Sequence, residues 1–189
     1  MRIVLASGSP RRRELLSMLG AELEIRPAAG EENVGDSKDP EEIVCRLSAA
    51  KAREVAALYP AQETVVAADT IVWCDGRVFG KPADAAEAAS MLGALSGRSH
   101  EVYTGVTVIS GGRELCSAEC TRVRFRELCP EEINAYIATG EPMDKAGAYG
   151  IQGKASLFVE GIDGDYFNVM GLPLCKLGKM LSELGVHLL

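Results

Sequence analysis

Apolar and polar positions alternate along this chain with two different periods, and the period tells helix from strand. An apolar strand runs through Leu5-Ala6, breaks at Gly8 and enters a helix at Ser9-Pro10, which Gly20 closes. Residues 23–25 form a short strand leading into a polar loop that contains Glu31 and Glu32. From Pro40, residues Ile43, Val44, Leu47, Ala50, Val55 and Leu58 recur at helical spacing, so a long helix buries one face before Tyr59-Pro60 ends it. Residues 64–68 are a continuous apolar run, the pattern of a strand covered on both faces, and they end in Asp69-Thr70. Residues 71–74 and 77–79 flank Asp75-Gly76 as a two-residue hairpin. Asp84 with Glu87 resembles a capping box for a helix to Leu95, stopped by Gly97. Two long strands, about 101–109 and 114–125, flank Gly111-Gly112. Pro130 opens a short helix ended by Gly140, and Pro173 opens the last helix, ending near Gly185. Residues 141–153 carry too much glycine for a helix and do not alternate like a strand, which predicts an ordered, functional loop. The order of elements predicts an α/β fold with a mixed sheet, one elongated domain over residues 1–189, without repeat or linker.

Three places in this pattern carry chemistry. In Leu5-Ala6-Ser7-Gly8-Ser9-Pro10-Arg11-Arg12-Arg13, Ser9 suits a helix N-cap and Pro10 the first helical position. Arginines in a first turn oppose the helix dipole unless an anion is shared with the exposed amides, so Ser7, Ser9, Arg11 and Arg12 read as an anion pocket. A solvated arginine face is the bland alternative. Asp69, at the carboxyl end of a buried strand, is the first catalytic candidate, with a capped turn as its alternative. A hydrolase of phosphate anhydrides that is poor in histidine needs a hard divalent cation and a carboxylate to handle water; Asp69 with Glu32 can supply both, and Glu31 competes with Glu32. Lys51 and Lys81 add point charges for a triphosphate, although each alone fits an exposed surface lysine. Gln152 offers a donor and an acceptor to a pyrimidine edge, or braces the loop; Asp144 and Lys145 fit a local ion pair.

Composition narrows the class. The 189 residues carry a net charge of -7, which argues against broad binding to nucleic acid or an anionic membrane surface. No stretch reaches the roughly 20 apolar residues of a membrane span and no signal peptide opens the chain, so a soluble, cytoplasmic protein is expected. Six scattered cysteines (Cys45, Cys74, Cys116, Cys120, Cys129, Cys175) form no CxxC pair, and with only two histidines a zinc site is not expected; the cysteines read as small hydrophobes without chemistry.

The segments LASGSPRRREL, AADT, GKPAD, LSGRSHEVYTGV, EPMDKAGAYGIQG and IDGDYFNVMGLPL, in this order over nearly the whole chain, closely resemble the Maf family of nucleotide pyrophosphatases. The resemblance implies an elongated α/β domain with a mixed, twisted central sheet flanked by helices and a cleft between two lobes, as in Maf and ITPase proteins. It implies hydrolysis of a nucleoside triphosphate to monophosphate and pyrophosphate, attacked at the α-phosphorus, with Asp69 as proton acceptor and a divalent cation, Mg²⁺ or Mn²⁺, in support. Arg11, Thr70 and Gln152 match the positions seen in family members acting on dTTP and UTP, while a sister branch acts on 7-methyl-GTP. The family often shows an aspartate-glutamate pair where this chain has Glu31-Glu32, which leaves the second acidic ligand open. A homodimer is also compatible with the family, although no interface signature is present. The competing readings are a non-catalytic regulator of septum formation that acts through a protein partner and a 7-methyl-GTP pyrophosphatase; modified pyrimidine nucleotides are further candidate substrates of the same site.

Overall fold

The computed structural model describes residues 2–30, 35 and 37–188. Among them a seven-stranded mixed sheet runs in the order β2-β1-β3-β5-β6-β7, with β4 paired to β3. The strands are β1 (Arg2–Leu5), β2 (Glu22–Ile25), β3 (Thr64–Cys74), β4 (Arg77–Phe79), β5 (Ser99–Ser110), β6 (Arg113–Phe125) and β7 (Val159–Asp163). Only the β1–β2 and β1–β3 pairs are parallel; the rest of the sheet is antiparallel.

Alternation along the strands sorts the core into two layers. Val65, Ala67 and Ile71 of β3 face α2 (Pro40–Ala56), whose Ile43, Val44, Leu47, Ala52 and Val55 are buried. Val66, Ala68 and Val72 face the larger core on the other side. That core is filled by α1 (Pro10–Ser17), α3 (Ala85–Leu95), α4 (Pro130–Ile137), α5 (Tyr166–Met170) and α6 (Leu174–Glu183). Asp39 caps α2 by accepting from the Glu41 amide at 3.0 Å, and Glu41 and Glu42 lie favourably in its first turn.

One contact fixes the height of α2 above the sheet. At Gly105 of β5 a Cβ would collide with the Val44 carbonyl and stand 2.7 Å from the Cys45 amide nitrogen, so the helix backbone rests directly on the strand. Gly105 pairs with Asp69 across the β3–β5 ladder, so this close approach of α2 lies beside Asp69.

Several expectations change. Residues 64–68 and 71–74 belong to one continuous strand, because the β5 ladder holds register from Val65↔Ile109 to Trp73↔Glu101. Asp69 therefore lies inside β3, not at its end. Ser9 occupies the N-cap of α1 without a capping bond from its hydroxyl; instead the Ser9 amide donates to Ser7 Oγ at 3.2 Å. The 141–153 segment holds two short 3-10 turns, Glu141–Asp144 and Ala146–Ala148. β7 and α5 have no counterpart in the sequence reading, and Cys116, Cys129 and Cys175 are exposed, unlike small core hydrophobes. No helix among the described residues is long and apolar enough to cross a membrane.

Gly105→Ala is expected to destabilise the fold by about 1–3 kcal/mol, since the obstacle is backbone and cannot rotate away. Urea unfolding should show a lower midpoint at unchanged slope; an unchanged midpoint would mean that α2 does not rest on β5.

Candidate active site

β3 is paired with β5 along one edge, but its other edge is shared by two short strands that do not meet. The β1 ladder stops at Leu5↔Val66, with one further bond from the Ala6 amide to the Val66 carbonyl at 2.8 Å. The β4 ladder begins at Val72↔Phe79. Along the intervening residues 67–71 no described strand covers this edge, and here a cavity of about 440 Å³ opens, within the roughly 300–1,000 Å³ usual for small-molecule sites. The carboxyl end of a parallel strand does point at the site, as open α/β sheets arrange, but that strand is β1.

The two faces of β3 bring different chemistry to the gap. Asp69 faces α2, is 6% exposed, and its Oδ1 takes an ion pair from Lys51. Among the described residues Asp69 Oδ2 accepts no hydrogen bond. Thr70 faces the opposite side and enters a polar chain. Arg12 donates through Nε to the Gly171 carbonyl at 2.7 Å, through Nη1 to Ser7 Oγ at 3.1 Å and through Nη2 to Thr70 Oγ1 at 3.0 Å. Thr104 Oγ1 lies 2.9 Å from Thr70 Oγ1 and donates its own proton to the Asn168 carbonyl at 3.0 Å. The Thr70 hydroxyl therefore donates to Thr104, and what it leaves for the cavity is an acceptor lone pair. Asn168, wholly buried on α5, is pinned by Nδ2 bonds to the Val102 carbonyl and Thr121 Oγ1 at 3.0 and 2.9 Å.

Opposite these groups, the start of α1 meets the 3-10 segment. Arg11 Nη1 pairs with Asp144 Oδ2 at 3.2 Å, and Lys145 pairs with Asp144 Oδ1 at 2.6 Å, the local pair that the loop sequence allowed. Burial alone would raise the Asp144 carboxyl, but Lys145 and Arg11 outweigh it and hold it below the ordinary value. The first-turn arginines are thus partly balanced by the protein itself, and an external anion is not their sole counter-charge. Lys81 and Gln152 line the same cavity from exposed positions, and Ser7 and Ser9 line it beside α1. The structure brings together every proposed site residue except Glu32, which with Glu31 lies outside the described residues. Arg11, Arg12, Lys51, Lys81 and Lys145 face only Asp69 and Asp144 among the described charged residues lining the cavity, so in a chain of net charge -7 the described lining is cationic.

A family model described as Maf-like protein matches residues 2–184. The chain belongs to the Maf family. This Maf-family chain is 53% identical over 187 residues to the dTTP/UTP pyrophosphatase of Moorella thermoacetica, covering 98% of this chain and 96% of that protein. It is 54% identical over 187 residues to the dTTP/UTP pyrophosphatase of Thermococcus gammatolerans, covering 99% and 98%. Among solved structures, the nucleoside-triphosphatase / dITP/XTP pyrophosphatase of Mycobacterium abscessus overlaps 66% of this chain and 74% of its own at 19% identity and a TM-score of 0.44.

Sequence reasoning missed Thr104, Asn168 and the Gly171 carbonyl, because only the β3–β5 register and the α5 fold bring them to Thr70. It also missed the support behind the 3-10 segment. Buried Tyr149 holds His100 by a 2.8 Å contact between its hydroxyl and Nε2, with Phe125 edge-on to both rings. Burial pushes the His100 imidazole down to about 4. Between pH 6.5 and 4 the unfolded chain takes up a proton that the folded chain refuses, so this group's share of stability is intact above pH 6.5 and falls by up to about 3 kcal/mol toward pH 4. Comparing urea unfolding at pH 7 and pH 4.5, His100→Gln should lose less stability than the wild type; equal losses would contradict the assignment.

Proposed function

We propose that this chain hydrolyses dTTP and UTP to the nucleoside monophosphate and pyrophosphate in the β3 gap. The observation that carries the reading is a buried carboxylate, Asp69, held by Lys51 at the floor of a cleft whose other described charged residues are four further cations and Asp144. Family membership and relatives at about half identity, named for this reaction, support it.

The residues divide the work by charge and position. Arg11, Arg12, Lys51 and Lys81 receive the triphosphate, the arginines through forked donors and the lysines as point charges. Arg11 exchanges Asp144 for a phosphate oxygen, and Asp144 keeps its second partner in Lys145. Lys51 fixes Oδ1 of Asp69, so Oδ2 is the oxygen that accepts the proton of the attacking water. Thr70 presents an acceptor, which matches the N3–H donor of uracil and thymine, whereas N3 of cytosine is itself an acceptor. Gln152 reads the remaining edge of the base from the cavity rim.

A divalent cation, Mg²⁺ or Mn²⁺, belongs to this reading. The buried Asp69 carboxylate, whose two oxygens carry more lone pairs than Lys51 and a single water proton use, suits a hard cation, and Glu32 is the second proposed ligand. When bound, the cation neutralises phosphate charge.

Asp69→Asn should reduce pyrophosphate release from UTP by at least about 100-fold while UTP binding persists, as expected for loss of a general base. Wild-type turnover should favour UTP and dTTP over CTP and 7-methyl-GTP. Retained turnover in Asp69→Asn, or orthophosphate in place of pyrophosphate, would contradict the reading. If a protein partner rather than hydrolysis underlies the function, both proteins will be equally inactive on every nucleotide.

A further inference from the structure

On the face covered by α2, away from the cleft lining, two thiols and two hydroxyls form a cluster that the proposed reaction does not use. Cys116 of β6 is the direct cross-strand partner of Thr107 of β5, and the Thr107 hydroxyl donates to Cys116 Sγ at 3.2 Å. Ser48 Oγ lies 2.9 Å from Thr107 Oγ1 and 3.9 Å from Cys116 Sγ. Ser48 and Cys45 stand three residues apart on α2 and so face the same patch, where the Cys45 carbonyl accepts from Cys116 Sγ at 3.6 Å and from Ser48 Oγ at 3.0 Å and the two thiols adjoin. Ser48 and Thr107 are fully buried, Cys45 is half-buried and Cys116 is exposed.

The Thr107 hydroxyl favours a thiolate at Cys116, while the Cys45 carbonyl favours the thiol. The hydrogen bond from Cys45 is the largest influence on Cys116; with those from Thr107 and Ser48 it outweighs burial and brings Cys116 down to about 6, while the same pairing and burial push Cys45 up. The nucleophile and a second thiol able to resolve it are side by side, and the nucleophile is the one that solvent reaches.

We propose that Cys116 and Cys45 form a hydroperoxide-reactive dithiol that closes to a disulfide between β6 and α2. The Cys116 thiolate attacks a peroxide oxygen; the S–O bond forms, the O–O bond breaks, and the departing alkoxide or hydroxide takes a proton. Cys116 is thereby oxidised by two electrons to the sulfenic acid and the peroxide is reduced. Cys45 then loses its proton and attacks that sulfur; the S–S bond forms, the S–O bond breaks, and hydroxide leaves with the Cys45 proton as water. The tie falls on the helix that carries Lys51, six residues beyond Cys45. Cys129 and Cys175 are also exposed but show no such cluster of thiol and hydroxyl donors among the described residues, which makes them internal controls.

The test is peptide mapping of the full chain by mass spectrometry after a short treatment with hydrogen peroxide and blocking with iodoacetamide. The expected product joins the Cys45 and Cys116 peptides with the loss of two hydrogens, and dithiothreitol reverses it. Cys116→Ser should abolish the product, and Cys45→Ser should leave a Cys116 sulfenic acid that dimedone traps. Cys45 fully alkylatable after treatment of the wild type, or Cys129 and Cys175 consumed as fast as Cys116, would overturn the proposal. The wild-type map needs no variant to fold, and it reads the same whether or not the chain hydrolyses nucleotides.

Discussion

A strand paired along both edges has no room for a ligand, and β3 escapes this because β1 and β4 divide its second edge without meeting. The gap between them decides what else can happen. It opens both faces of the strand at once, so neighbouring residues that must point in opposite directions, Asp69 and Thr70, reach one cavity. It also sets the start of α1, with its arginines, at the mouth of the gap, because β1 ends there and the chain turns directly into the helix. The backbone groups freed from the ladder are tolerable at a cleft, where water or ligand can satisfy them.

The two layers flanking the sheet then hold each face of the gap in place. On one side α2 rests on Gly105, the ladder partner of Asp69, and from that seat Lys51 reaches the carboxylate. On the other, α5 sends a buried polar chain from Asn168 through Thr104 to Thr70 and Arg12. Each hydroxyl in that chain has its proton direction set by the next acceptor, so the floor of the cleft is polarised by residues remote from it. A pair of faces built so differently is what the proposed division between acid–base chemistry and recognition rests on.

Much of this was legible in the sequence. The helix through Ile43, Val44, Leu47 and Val55, the Asp75-Gly76 hairpin and the Gly111-Gly112 hairpin follow from periodicity and turn chemistry, which are local. The site residues could be singled out because serines, arginines and an aspartate interrupt otherwise apolar or helical runs. What local pattern does not carry is register. The apolar run 64–68 looked finished at Asp69, yet β5 pairing continues straight through it, since the ladder's hydrogen bonds are made by backbone and not by side chains. The roles of Thr104, Asn168 and the Gly171 carbonyl depend on contacts across tens of residues. Short elements such as α5 and β7 were too brief to show a period at all. Cys45 and Cys116 looked inert for the same reason, because only the packing of α2 on β5 and β6 joins them.

The most direct measurement is a crystal structure of Asp69→Asn soaked with UTP and Mg²⁺. The account predicts the triphosphate between the start of α1 and Lys81, the α-phosphorus beside position 69, and the uracil toward Thr70 and Gln152. A nucleotide bound elsewhere, or one bound in the gap with its α-phosphorus far from position 69, would contradict it.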